Sequence, residues 1–424
     1  MQIYVAERGD SLGRIGAAFG IDPLLLALEN GLDSEGDLLP GQALLLARPA
    51  RLHRVREGES LYGIARQEGL PLRQLWRNNP WLDGEGELFP GQELVLQYEG
   101  AGGPGFFVNG YAYPYISRSI LGQSIACLNS LSLFACGFDA QGRLQPPATG
   151  ELREWSRQRH CSNMLVLAPL EENGQFSNAL ATAVLRDREK SSRLLDQLLA
   201  LVEQEGLSGV DLDFEFLGAA EAPLYAAFAE ELRQALSRQG RQLSIALAPK
   251  YSADQPGLLY EGHDYPALGR AADRLNLMSY EWGYTYGPPM AVSPIREMRQ
   301  VAEYACREIP REKLLLGIGN YGYDWSLPFR QGRPARSLGN EQALELARSR
   351  GAEILFDEES QSPFFRYRGE AGEEHIVWFE DVRSISAKLA LAADLGLGGL
   401  SYWTLMRPFC QNWLYLALNA KLQP

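Results

Sequence analysis

The sequence predicts an α/β protein: two small β-α-α-β modules, then a (β/α)8, TIM-type barrel with an α+β insertion between its seventh and eighth strands. Three observations carry this expectation. The first hundred residues repeat once, a glycine-rich segment follows, and the rest of the chain alternates short apolar strands with amphipathic helical stretches.

At 424 residues the chain exceeds the usual size of one domain, and 46% hydrophobic residues can bury a sizeable core. A net charge of −13 argues against nucleic acid, whose binding rests on Lys and Arg neutralising phosphates. The five cysteines, Cys127, Cys136, Cys161, Cys306 and Cys410, are odd in number and form no CxxC pattern, so reduced, mostly buried thiols are expected. His53, His160, His263 and His375 are scattered without ligand spacing, so neither a metal site nor a Ser-His-Asp triad is expected, and no cofactor is implied. Met1-Gln2-Ile3-Tyr4-Val5 runs into a strand-like pattern without the look of a secretion signal, and no apolar run is long enough to span a bilayer. Oligomeric state is left open.

The repeat comes first. Arg8-Gly9-Asp10-Ser11-Leu12 is answered by Glu57-Gly58-Glu59-Ser60-Leu61, and Leu39-Pro40-Gly41-Gln42 by Phe89-Pro90-Gly91-Gln92. Each copy opens on a short alternating strand (3–5 or 52–55), and Ser11 or Ser60 stands where a helix N-cap would. Two short helices follow, the second ending near Asn30 or Asn79, and a Pro-Gly turn feeds a last strand, 43–46 or 93–96. The modules are placed at 1–48 and 51–98. The segment 99–105, with four glycines and a proline after residue 99, reads as a flexible linker.

This repeat resembles the LysM module, which binds N-acetylglucosamine-containing glycans. The resemblance implies glycan contacts around Gly9, Asp10, Ser11, Leu12 and Asn30, and around Gly58, Glu59, Ser60, Leu61 and Asn79. The competing expectation is a pair of small domains that pack together or hold a protein partner.

In 106–424, strands are predicted at 106–111, 130–135, 163–168, 209–214, 242–248, 274–278, 313–318 and 398–402. Residues 329–380 read as the insertion, with a helix at 340–350 and a hairpin across 364–379, and are expected to wall the cleft.

The chemistry lies in Ser208-Gly209-Val210-Asp211-Leu212-Asp213-Phe214-Glu215-Phe216. Side chains two apart in a strand share a face, so Asp211, Asp213 and Glu215 line one side, with Glu215 at the C-terminal mouth where barrel enzymes place their chemistry. A solvated acidic edge strand is the simpler explanation of an isolated Asp-x-Asp-x-Glu. Here the β/α pattern makes the strand central and parallel, where both faces should be apolar. Burying three like charges must raise at least one pKa, which suits a general acid protonated near neutrality.

Gly209-x-Asp211-x-Asp213-x-Glu215 resembles the signature of glycoside hydrolase family 18. The whole chain resembles the spore cortex-lytic N-acetylglucosaminidases of endospore formers, which join two LysM modules to such a barrel. The resemblance implies hydrolysis with net retention, in which the substrate's own acetamide oxygen attacks the anomeric carbon, an exception to the two-carboxylate scheme. Glu215 is then the acid and base, Asp213 orients the acetamide, and Asp211 holds a proton behind it. Leu277-Met278-Ser279-Tyr280-Glu281-Trp282-Gly283 is similar to the family's strand-six motif, with Tyr280 on the acetamide carbonyl. Gly399-Leu400-Ser401-Tyr402-Trp403 resembles its last strand, with Trp403 as the sugar floor. Glu281, Trp282, Asn320 and Trp325 complete the expected substrate contacts; Tyr111, Tyr113 and Tyr284 are aromatics that could stack on sugars or pack in the core.

The chain departs from the family pattern twice. Ser208 stands where an Asp is often found, which alters the buried end of the carboxylate row, and Leu165-Val166-Leu167-Ala168 replaces the Ser-x-Gly-Gly of chitinases. Gly317-Ile318-Gly319-Asn320-Tyr321-Gly322 matches GxGxxG, but Tyr323-Asp324-Trp325-Ser326-Leu327-Pro328 cannot open the helix a dinucleotide site needs, so an aromatic loop at the barrel mouth is expected. The expected function is cleavage of N-acetylglucosaminyl β-1,4 bonds in spore cortex peptidoglycan or its fragments during germination. The alternatives are a chitinase-type hydrolase and a non-catalytic glycan-binding coat protein. The expected place is the coat and cortex region of the spore, after synthesis in the mother-cell cytoplasm without a signal peptide.

Overall fold

The computed structural model describes residues 1–33, 38–82, 86–171 and 174–423. In each N-terminal module two antiparallel strands, Gln2–Val5 with Ala43–Leu46 and Pro49–Arg54 with Glu93–Tyr98, carry a pair of short helices. The first helix starts on a serine as expected: Ser11 accepts from Arg14 N and Ser60 from Gly63 N. The second ends at an asparagine that ties helix to strand. The Asn30 amide donates to Leu26 O and Leu45 O and accepts from Leu45 N, and Asn79 repeats this with Leu75 O, Val95 O and Val95 N.

Eight parallel strands close the barrel: β1 (Gly105–Ala112), β2 (Ser130–Phe138), β3 (Ser162–Leu167), β4 (Gly209–Leu212), β5 (Gln242–Leu247), β6 (Arg274–Leu277), β7 (Leu314–Gly319) and β8 (Gly399–Trp403). Pairing of β1 with β2, Asn109 opposite Ser130, and of β8 with β1 completes the ring. Outward residues such as Val210 and Leu212 are fully buried under helices, of which Arg188–Gln204 contributes Leu194, Leu198 and Val202. The inside is polar: Asn109 accepts from Ser130 and Ser132 and donates to Ser401. The row of hydrogen bonds leads to the carboxylates of β4.

Three expectations need correction. β4 stops at Leu212, not at residue 214, because only Asp213 N continues the ladder, to Leu167 O, before Phe216 turns into the left-handed region at φ 57°. The insertion starts at Gly322 rather than 329. Gly322–Leu327 is a strand of a five-stranded antiparallel sheet that includes the expected hairpin, and the helix Asn340–Arg350 covers one face through Ala343 and Ala347. The glycine-rich segment is no free tether, since Gly102 N donates to Leu418 O and Lys421 N to Pro104 O at the end of the C-terminal helix.

That helix, Cys410–Asn419, is buried from Cys410 to Leu418 because both modules and the barrel close around it. Gln411 donates to Asn30 Oδ1 and Ala43 O of the first module, and Arg77 of the second donates to Ala420 O. Between the modules, fully buried Glu29 accepts from Tyr98 Oη at 2.9 Å while its Oε2 has no hydrogen-bond partner among the described residues. Among the described residues no helix is long and apolar enough to cross a membrane.

Burial pushes the Glu29 carboxyl up to about 8. Because the folded pKa lies above that of the unfolded chain, the stability it supports is complete only below the ordinary value of 4.5 and is lost as pH rises from there to about 8. Urea midpoints measured from pH 5 to 9 should fall with pH in the native chain and stay flatter in Glu29→Gln; parallel curves would show that the carboxyl is not held neutral.

Candidate active site

Strand alternation turns Gly209, Asp211 and Asp213 inward. Asp211 is fully buried, accepts from Ser132 Oγ at 2.9 Å, and lies 3.3 Å from Asn276 Nδ2, which also donates to Tyr111 Oη at 2.7 Å. Burial raises its pKa against hydrogen bonds from Tyr111, Ser132, Ser244 and Asn276 that lower it. Ser208, by the same alternation, belongs to the outer face, and its backbone pairs with Asn163 and Gln242. Its departure from the family pattern therefore leaves the carboxylate row untouched.

Asp213 is buried, and among the described residues its Oδ1 has no hydrogen-bond partner. Its pKa stands well above the usual carboxylate range through burial and the charges of Glu215 and Asp211. Glu215, half-buried just beyond the strand, is pushed up to about 7 by burial and then by Glu281. Glu281 is in turn clamped, accepting from Tyr321 Oη and, at 3.0 Å, from Tyr323 Oη. Burial, then the charges of Asp213, Glu215 and Glu281, raises the pKa of the Tyr280 hydroxyl. Glu281 (φ 67°) and Phe216 (φ 57°) hold left-handed backbone beside Tyr280 and Glu215, a strain that clusters at functional sites.

Trp403, half-buried at the end of β8, is propped edge-on by Phe134 (4.9 Å) and Tyr111 (5.5 Å). The face of the inserted sheet that carries Tyr323, Trp325 and Ile376 packs in one cluster with Tyr280, Trp378 and Trp403, so the insertion borders the site residues Tyr280 and Trp403. Gly317 and Gly319 serve this packing: a Cβ at Gly317 would lie 2.0 Å from Leu277 O and 3.0 Å from the Tyr280 ring. The expected aromatic loop is largely the first inserted strand.

The site thus gathers Asp211, Asp213, Glu215, Tyr280, Glu281 and Trp403. It does not gather Asn320 or Trp325. Asn320 is 1% exposed and donates to Thr404 O and Arg407 O, and Trp325 is 2% exposed with its indole N–H on Gly287 O. Both were expected to meet substrate, and both are packing residues. Trp282 is half-buried and leans on the main core, and Tyr284 is 42% exposed. In the modules, Asn30, Asn79, Leu12 and Leu61 are buried, while Ser11 and Ser60 cap helices. Asp10 takes Tyr4 Oη and Glu7 N, and Glu59 takes His53 and Arg56 N. The repeat's signature residues mainly build its fold; Gly9 and Gly58 supply left-handed turns.

Ser132, Ser244 and Asn276 around Asp211, and Tyr321 and Tyr323 around Glu281, were not anticipated. Inward parity could have found the first three, since they are polar residues in otherwise apolar strands.

The family model described as glycosyl hydrolases family 18 matches residues 149–407, and the LysM domain model matches 4–47 and 53–97. A cortical fragment-lytic enzyme of Bacillus subtilis (strain 168) is 43% identical over 288 residues, covering 67% of each chain. One of Bacillus anthracis is 34% identical over 429 residues, covering 99% of this chain and 98% of its own. The crystal structure of the Bacillus megaterium QM B1551 spore cortex-lytic enzyme SleL superposes with a TM-score of 0.84 at 33% identity, over 100% of this chain and 98% of that one. With Asp211 and Asp213 buried along and just past β4, Trp403 at the end of β8 and a matching family model across most of the barrel, the chain belongs to the family 18 glycosyl hydrolases and carries two LysM domains.

Proposed function

We propose that the chain hydrolyses N-acetylglucosaminyl β-1,4 bonds of spore cortex peptidoglycan, or of fragments cut from it, during germination. The observation that carries this is the pairing of Glu215, protonated near neutrality, with a buried Asp213 oxygen that lacks a donor. A 2-acetamido sugar supplies that donor as its amide N–H. The names of the relatives, cortical fragment-lytic and spore cortex-lytic enzymes, support the choice of polymer.

In this mechanism Glu215 protonates the leaving glycosidic oxygen while the acetamide oxygen attacks the anomeric carbon from the opposite face. Water deprotonated by Glu215 then opens the cyclic intermediate with net retention. Asp213 holds the acetamide N–H and balances the positive charge that develops on it. Asp211, behind it, shares the proton that two adjacent buried carboxyls retain. Tyr280 holds the acetamide oxygen, Trp403 floors the reacting sugar, and Trp282 and Glu281 border it. The glycan partner is an N-acetylglucosamine-containing polymer. We place the protein in the cortex and coat region of the spore, made in the mother-cell cytoplasm; its five unpaired thiols suit synthesis in a reducing compartment.

Glu215→Gln should lower turnover of cortex fragments by about 10²–10⁴-fold or more with thermal stability unchanged, because it removes only the transferable proton. Mass spectrometry of the products should show reducing-end N-acetylglucosamine from the native chain alone; a folded variant of near-native activity sinks the assignment. The acid must be protonated, so kcat/KM should fall as pH rises through about 7. Glu281→Gln removes a negative neighbour and should move that limb to lower pH, though only partly, since burial is the larger cause; an unmoved limb would separate the two carboxyls electrostatically. A fluorescent fusion followed through sporulation should collect at the forespore, and a signal confined to vegetative cytoplasm would refute the placement.

A further inference from the structure

The two LysM domains differ at equivalent positions. In the first, the closing turn Leu39-Pro40-Gly41-Gln42 is docked on the inserted sheet and its neighbours. Ile354 N donates to Pro40 O at 2.9 Å, Arg383 Nη2 donates to Gly41 O at 3.1 Å, and Leu39 is buried with Phe365 and Val377. The fit is tight: a Cβ on Gly41 would sit 1.8 Å from Ile354 O. In the second domain the same turn, Phe89-Pro90-Gly91-Gln92, faces solvent, with Phe89 66% exposed. Tyr62, also 66% exposed, stands where the first domain has Gly13. Gly86 lies against Leu61, so the stretch leading to Phe89 runs past the helix turn that presents Tyr62.

The second domain is held through its second helix, Leu72–Asn78. Arg77 donates to Ala420 O, and Arg73 donates to Ala126 O at 3.0 Å and to Leu128 O, which leaves the Tyr62 and Phe89 edge free. Two large rings kept in water on a small rigid module are costly unless something covers them. Their flat apolar faces suit the C–H faces of pyranose rings, and an uncharged sugar chain suits a protein of net charge −13.

We propose that the two LysM domains have separate tasks. The second grips the N-acetylhexosamine chain through Tyr62 and Phe89, and the first is a strut that braces the inserted wall of the cleft. This rests on the proposed peptidoglycan function and assigns it to one domain. The docked turn of the first domain has no free surface of that kind, and it connects the N-terminal modules to the wall beside Trp403 instead.

The test sediments the full-length protein with insoluble spore peptidoglycan and, in parallel, follows cleavage of soluble fragments. Tyr62→Ala combined with Phe89→Ala should reduce retention at least tenfold with fragment cleavage and melting temperature unchanged. Arg8→Ala combined with Leu24→Ala, on the exposed surface of the first domain, should leave retention at the native level, and Leu39→Ala should lower the melting temperature while the folded protein is still retained. Native retention of the Tyr62 and Phe89 variant, or equal loss from the Arg8 and Leu24 variant, overturns the division of tasks. A native chain that neither sediments nor cleaves overturns the peptidoglycan function itself.

Discussion

Everything at the site depends on the cost of taking carboxylates out of water. Asp211, Asp213 and Glu215 stand at alternate positions along and just beyond one strand, in an interior that cannot solvate three negative charges. The barrel meets the cost in graded form. Asp211 receives hydroxyl and amide donors, Asp213 keeps one oxygen unpartnered, and Glu215 stays at the rim, where burial and Glu281 hold it near neutrality. Hydrogen-bond satisfaction thus falls along the strand, from Asp211 with its donors to Asp213 with an oxygen left over, and the outermost carboxyl is raised toward neutrality.

The same economy explains the polar barrel interior. Asn109, Ser130, Ser132, Ser244, Asn276 and Ser401 would weaken an ordinary core, yet here they form a polar network in which Ser132, Ser244 and Asn276 reach Asp211. The apolar packing that holds the barrel together is moved outward, to the layer between strands and helices. Aromatic groups then take over at the mouth, where Phe134 and Tyr111 fix Trp403 and the inserted sheet presses Tyr323 toward Glu281.

The C-terminal helix plays the corresponding part for the whole chain. It is buried on all sides because the modules share its core with the barrel, which makes the N-terminal hundred residues an extension of the enzyme body instead of a tethered appendage. Glycines at 100–105, which composition alone assigns to flexibility, allow close approach to the end of that helix.

The sequence by itself determined the repeat, the eight strands, the carboxylate row and its mouthward end, because each is a local period: a duplicated pattern, alternation in a strand, or a signature motif. It also determined Tyr280 and Trp403 through their motifs, and the presence of an inserted helix and hairpin. Only the tertiary structure decided which aromatic residues face the cleft. Asn320 directly follows β7 and Trp325 lies in the next strand, yet they are sealed by Thr404 and Gly287 from elsewhere in the chain. Strand parity marks the donors around Asp211 as inward polar residues, but their convergence on one carboxyl, like that of Tyr321 and Tyr323 on Glu281, is set by the fold. The docking of the first module was hidden for the same reason. Solvation and pairing are set by what the fold brings from far along the chain, whereas periodicity is set by neighbours.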